Sequence, residues 1–150
     1  MEAAVRTAHY LLTGKEMDNL VLSDVRELKG IKEAKVTINN TSIGVAVASG
    51  LGNARNLLEQ IKNGRNAMRF IEIMTCPGGC IAGGGQPINI DKEPVYNRMK
   101  KLYDIDKSET IRTSHSNTDV QQLYKEYLGK PLSEKSHTLL HTHYTNRTET

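Results

Sequence analysis

The sequence predicts an α/β fold, a short and mainly parallel sheet with helices followed by a helical C-terminal region. Three observations predict it. Apolar residues alternate at Ala34, Val36 and Ile38 and again at Ile43, Val45 and Val47, the period of half-buried strands. Leu51, Ala54, Leu57, Leu58 and Ile61 then recur at helical spacing, and FIEIM (Phe70 to Met74) reads as a short buried strand. Beyond residue 90 the apolar spacing is mainly helical.

Taken in order, residues 2 to 13 form a helix that ends at Gly14, a residue suited to a left-handed terminator. No capping residue precedes it. The two alternating runs flank Asn39-Asn40, so they read as a strand pair with a turn between. Gly50 and Gly52 precede the next helix and Gly64 follows it. Asp91 is placed to cap a helix with Val95, Met99, Leu102 and Tyr103 on one face. Thr118 and Gln121 have the spacing of a capping box ahead of Val120, Leu123, Tyr124, Tyr127 and Leu128, and Gly129 and Pro131 close that helix. Ser133 caps a last short helix through Leu140, and the polar tail from Thr145 is expected to fray.

Composition narrows the function classes. A chain of 150 residues suits one domain and buries about 68–70% of its unfolded surface. Its core must be aliphatic, because there is one Phe and no Trp. A net charge of +3, with basic and acidic residues interspersed, is not a nucleic-acid footprint. No run of 18 apolar residues and no signal-peptide pattern is present, so a cytoplasmic chain without membrane association is expected.

The chemistry gathers in EIMTCPGGCIAGGGQP, residues 72 to 87, where Cys76 and Cys80 lie among Gly78, Gly79, Gly83, Gly84 and Gly85. Glycines let the backbone approach something bulky and leave amide N–H groups free to face an anion. A phosphate loop would need a Lys-Ser/Thr or a helix directly after the glycines, and GGGQPINI has neither. Three readings of the thiols remain open: ligands of an iron–sulfur cluster, a redox pair with three residues between, or no function. A structural disulfide fits a chain without a secretion signal less well. Cys76 lies two residues past a strand's carboxyl end, where sites of α/β units collect.

This stretch resembles the third signature of the FeFe hydrogenases, E-x-M-x-C-x-G-G-C-x-x-G-G-G-Q-P, and every fixed position is matched from Glu72 to Pro87. The likeness continues in MEAAVRTA, in GIKEAKV, and in SHSNTDVQQLYKEYLGKPLSEKSHTLLHTHY, which is similar to the family's small-subunit region. Thr118 stands where family members often have proline. The resemblance implies a partial FeFe-hydrogenase-like lobe over residues 1–90 with its cluster loop at 75–87, a small-subunit-like helical wrap over 91–144, and a frayed tail at 145–150.

It also implies reversible reduction of protons to H2 at an H-cluster, a 4Fe-4S cluster joined to a diiron subcluster. By position, Cys76 and Cys80 are the metal ligands, with Cys80 also bridging to the diiron unit. Met74 stands beside that unit as a polarizable wall, ordinary strand packing being its other reading. Gly78, Gly79, Gly83, Gly84 and Gly85 form the cradle. Glu72 matches the family's fixed acid, read as a hydrogen-bonded buried carboxylate or a proton relay. The family's two earlier signatures, T-S-C-C-P and M-P-C-x-x-K-x-x-E, are not in these residues.

Four thiolates hold such a cube and the sequence has two cysteines, so the expected partner is a complementary hydrogenase polypeptide carrying the other cluster cysteines. A ferredoxin-like protein is the expected electron donor or acceptor. The opening inside a helix suggests a truncated or split chain. The alternatives are a non-enzymatic iron–sulfur carrier or sensor with a cluster shared across a homodimer, and an inactive fragment. His137 and His141 at i, i+4 with His143 nearby have zinc-like spacing; a structural stretch is the expectation there.

Overall fold

The computed structural model describes residues 1–145 except 66, 77 and 88–90; residues 146–150 also lie outside it. The expected fraying tail, beyond Thr145, and Pro77 of the glycine loop therefore fall outside the described residues. The chain divides into two compact units, Met1–Arg112 and Thr113–Thr150.

In the first unit, helix α1 (Glu2–Thr13) ends on Gly14 at φ 70°, whose N–H donates to the Tyr10 carbonyl. Strands β1 (Ile31–Ile38) and β2 (Thr41–Ser49) pair antiparallel through Asn39 (φ 48°) and Asn40 (φ 62°). Positive φ at both residues is the backbone of the two-residue turn that matches strand twist. Helix α2 (Leu51–Lys62) then carries the chain to β3 (Met68–Met74), which pairs parallel with β2. The sheet order is β1-β2-β3. The sheet is thus mixed: the parallel arrangement expected from sequence is realised in β2–α2–β3, whereas the tight Asn-Asn turn forces β1 antiparallel.

Central β2 is buried on both faces. Val45 and Val47 pack with Val5 of α1 and with Ala34, Val36 and Ile38 of β1. On the other face Ala46 and Ala48 lie under Ala54 and Leu57 of α2, and the small alanines let that helix sit close. The Val/Ala alternation of β2 therefore assigns one helix to each face. β1 begins three residues before the expected Ala34, because Lys32 and Glu33 mask the start of an edge strand, where charged residues are normal.

Helix α3 (Lys92–Ser108) closes the first unit, with Met99 buried and Asp91 at its N-terminal boundary making no side-chain cap. It is fastened by an ionic network. Arg6, 5% exposed, reaches Asp106 at 3.0 Å, and Arg26 and Arg112 reach the same carboxylate at 2.6 and 2.8 Å. Glu2 binds Arg26 and accepts from the Leu22 N–H, holding the 3-10 turn Ser23–Val25 against the core.

The second unit is helical. Helix α4 (Thr118–Leu123) runs into a π-helical turn, Tyr124–Leu128, and α5 (Glu134–Leu140) follows. The capping box expected at Thr118 does not form. Asn117 is the cap, its side-chain oxygen accepting from Asp119 and Val120 N–H, while Gln121 donates its amide to the His115 carbonyl. Asn117 is one residue earlier and its carbonyl oxygen reaches both amides, so Thr118 is already inside the helix. The Ser133 cap forms as expected, accepting from Ser136 N–H at 3.3 Å.

Candidate metal centre

Strand β3 delivers the chain into the glycine loop, and its end is pinned. The Gly50 N–H at the start of α2 donates to the Met74 carbonyl at 2.8 Å. From there the loop folds by successive short turns. Gly79 N–H donates to the Cys76 carbonyl, Ala82 N–H to Gly79, and Gln86 N–H to Gly83, at 3.0 to 3.2 Å. Gly78 (φ 79°) and Gly79 (φ 75°) supply consecutive left-handed residues, a backbone that side chains strongly disfavour. The 3-10 turn Gly79–Ile81 that follows carries Cys80.

Both cysteines are free thiols, Cys76 half-buried and Cys80 exposed. The space around them is made by missing side chains. A Cβ on Gly83 would stand 3.0 Å from the Cys76 sulfur, and one on Gly79 would stand 3.1 Å from the Met74 sulfur. Gly84 and Gly85 face open space. Met74 belongs at once to the α1-side core and to the wall of a cavity of about 210 Å³ that also holds Gly78, Gly79 and Cys80. Met74 thus packs in the core, as one of its two readings expects, and also lines this cavity.

The loop is also gripped from a distance. Arg98 of α3 donates through Nε to the Ile81 carbonyl at 2.8 Å, next to Cys80. Nothing in the loop's own sequence points to this arginine, because seventeen positions separate the two residues. Leu28, Met99, Leu102 and Tyr103 complete the cavity's largely apolar lining, with Lys32 and Glu27 as its charged members. Glu72 is half-buried and its carboxylate lies 2.8 Å from the Met1 ammonium; at 37% exposure it is less enclosed than the buried carboxylate expected from sequence, because it stands near the end of the last strand of the sheet.

Among the described residues no group of three or more His, Cys, Asp or Glu side chains is arranged to hold a metal ion. Cys76 and Cys80 thus have no third ligand there. The His137 and His141 rings stack at 4.5 Å, with His143 at 5.7 Å from His137, without forming such a group. Two thiols on a glycine-lined, partly open loop fit half the ligand set of a 4Fe-4S cube.

Residues 1–84 match the profile of the iron only hydrogenase large subunit, C-terminal domain, and residues 92–147 that of the iron hydrogenase small subunit. The chain is 47% identical over 148 residues to the NADP-reducing hydrogenase subunit HndD of Solidesulfovibrio fructosivorans, covering 98% of this chain and 25% of that protein. Iron hydrogenase 1 of Clostridium pasteurianum is 40% identical, with 96% and 26% covered. A cytosolic Fe-S cluster assembly factor of Xenopus tropicalis is 32% identical over 149 residues, with 96% and 30% covered. Among solved structures, an apo FeFe-hydrogenase of Chlamydomonas reinhardtii superposes with a TM-score of 0.77 at 40% identity, over 96% of this chain and 43% of that one. The chain therefore spans about a quarter of the length of the curated hydrogenases it matches. With its large-subunit match running directly through the glycine loop and its small-subunit match following, the chain belongs to the iron-only hydrogenase family.

Proposed function

We propose that this chain supplies Cys76 and Cys80 as two thiolate ligands of a hydrogenase H-cluster, whose remaining ligands come from residues outside these 150. The observation that carries the reading is the pairing of two free thiols with a loop that needs glycine at 78, 79 and 85 for its positive φ and at 83 for room beside Cys76, and with no third ligand among the described residues. When bound, such a group supplies one-electron storage at its 4Fe-4S part and exchange of protons, electrons and H2 at its diiron part.

The chain's own residues hold and enclose. Cys76 and Cys80 would hold the group as its two thiolates from this chain, Cys80 being the one that the family resemblance assigns to the diiron part. Gly78 and Gly79 set the turn that points Cys80 outward, and Gly83, Gly84 and Gly85 keep side chains out of the volume the group needs. Met74 closes the cavity with an apolar, polarizable surface that excludes water. In this reading the protein is part of a cytoplasmic FeFe hydrogenase, completed by a complementary hydrogenase polypeptide and exchanging electrons with a ferredoxin-like protein. No helix among the described residues is long and apolar enough to cross a membrane.

Co-expression with a polypeptide carrying the other cluster cysteines, together with the diiron maturation machinery, tests it. The expected complex shows CO and CN infrared bands and evolves H2 from a reduced donor, and Cys80→Ser abolishes both. A matured wild-type complex with neither bands nor H2 overturns the assignment. The likeness to an Fe-S cluster assembly factor supports a second reading, a carrier with one cube shared between two copies, each giving two thiolates. One cube per homodimer after anaerobic reconstitution, with no hydrogen chemistry in the matured complex, favours the carrier.

A further inference from the structure

Strand β1 places a charge where its pattern calls for an apolar residue. Ala34, Val36 and Ile38 point into the α1-side core, and the strand's two-residue period puts Lys32 in the same inward row. Across the sheet, Lys32 is opposite Val47, and Val47 is opposite Glu72. Two strand spacings, about 9.6 Å, separate Lys32 from Glu72 in that row, too far for a direct hydrogen bond. Among the described residues the Lys32 ammonium has no hydrogen-bond or salt-bridge partner. Burial pushes its pKa down, opposed by the carboxylates of Glu72 and Glu27. A half-buried cation with carboxylates only at a distance, and none in contact, gains from a further negative group arriving beside it.

The cavity supplies the place. Lys32 shares its wall with Cys80, Met74 and Gly79; the other charged member, Glu27, is ion-paired to Lys29 at 2.7 Å, and the rest of the wall is mostly apolar. An iron–sulfur cube held by four thiolates carries net negative charge, and each electron it takes up makes it more negative; net charge and nearby groups set its potential. We propose that Lys32 is a positioning residue for charge at the centre: its ammonium balances the group held by Cys80 and favours its reduced form. The proposal rests on the ligand role of Cys80 given above.

Redox titration of the cluster by electron paramagnetic resonance, in the wild-type complex with the complementary polypeptide, tests this separately from turnover. Lys32→Met keeps the apolar stem and removes the charge, and Lys32→Gln is a second neutral variant should the first fold poorly. At a fixed potential each is expected to raise the oxidised-to-reduced ratio of the cube about tenfold, equivalent to about 59 mV for one electron. Lys32→Arg is expected to restore the wild-type ratio. Lys35→Met removes the same charge from an exposed site on the same strand and is expected to leave the ratio unmoved. Iron-loaded neutral variants within twofold of wild type overturn the role of Lys32 alone, as does an equal shift from Lys35→Met. A wild-type complex without iron overturns the ligand role of Cys80 and this proposal with it.

Discussion

Asp106 is the most exacting point at which to test how the first unit is held together. Its carboxylate receives Arg6 at 3.0 and 3.2 Å, Arg26 at 2.6 Å and Arg112 at 2.8 Å. Asp106→Asn preserves the shape but turns an anion into a dipole that faces three guanidinium groups. Arg6 is 5% exposed, and its other described partners are the Leu20 and Arg112 carbonyls and the Glu2 carboxylate at a long 4.0 Å, so it becomes a buried cation with only a distant counter-ion that Arg26 also engages. Removing one partner of a buried pair costs about 3–5 kcal/mol. Asp106 itself is 27% exposed, and solvent screening brings the expected loss to about 2–3 kcal/mol. At a urea slope of about 2 kcal/mol per M, the unfolding midpoint should fall by about 1–1.5 M, read by far-UV circular dichroism.

Glu59→Gln is the control, because the Arg55–Glu59 pair is long at 3.9 Å and largely exposed, and its effect should stay under about 0.5 kcal/mol. The pH dependence carries a sign. The hydrogen bonds from Arg6, then those from Arg112 and Arg26, hold the Asp106 carboxyl below its ordinary value of 3.8 against the opposing effect of burial. Its stabilisation is therefore present above about pH 4 and drains away as pH falls through and below that value. The gap between wild type and Asp106→Asn should narrow over the same range. A midpoint shift no larger than that of Glu59→Gln, or a gap that widens on acidification, would refute the reasoning.

Three further outcomes are expected. Gly83→Ala puts a Cβ 3.0 Å from the Cys76 sulfur and should reduce the iron bound per complex several-fold, whereas Gly52→Ala, in α2 with open space at its Cβ, should bind iron as wild type does; colorimetric iron assay separates them. Asn117→Ala should cost about 1 kcal/mol in chemical denaturation and Thr118→Ala only a few tenths, reversing the order that a Thr118 capping box demands. Leu57→Ala opens a cavity between α2 and the sheet at a fully buried site and should cost about 2–5 kcal/mol, seen as a lower melting temperature.

Much of this was legible because the information is local. The alternation of Ile43, Val45 and Val47 in β2, the Asn-Asn turn, the Gly14 and Ser133 boundaries and the glycine turns of the two-cysteine loop each depend on residues within a few positions of one another. What the sequence hid is what joins distant segments. Arg98 reaching Ile81, the three arginines converging on Asp106, and Lys32 sharing a cavity wall with Cys80 bridge separations that no period or motif encodes. Asn117 was missed for a different reason: two adjacent residues were both competent caps, and tertiary geometry chose the first.

The division of labour within the first unit follows from these distant contacts. By sequence profile, α3 falls in the small-subunit match that starts at residue 92, while the glycine loop ends the large-subunit match at residue 84. By packing they are one body, since the compact unit runs to Arg112 and α3 both binds the Ile81 carbonyl and presents Met99 to the cavity beside Cys80. A loop of five glycines has high conformational freedom and cannot fix the direction of a thiol by itself. Its rigidity has to be imported: from the strand end through Gly50 and Met74, and from α3 through Arg98. The Asp106 network that fastens α3 to α1 is therefore also what keeps Arg98 in reach of the loop. Loss of that network should loosen Cys80 even though no residue of it touches the cysteine.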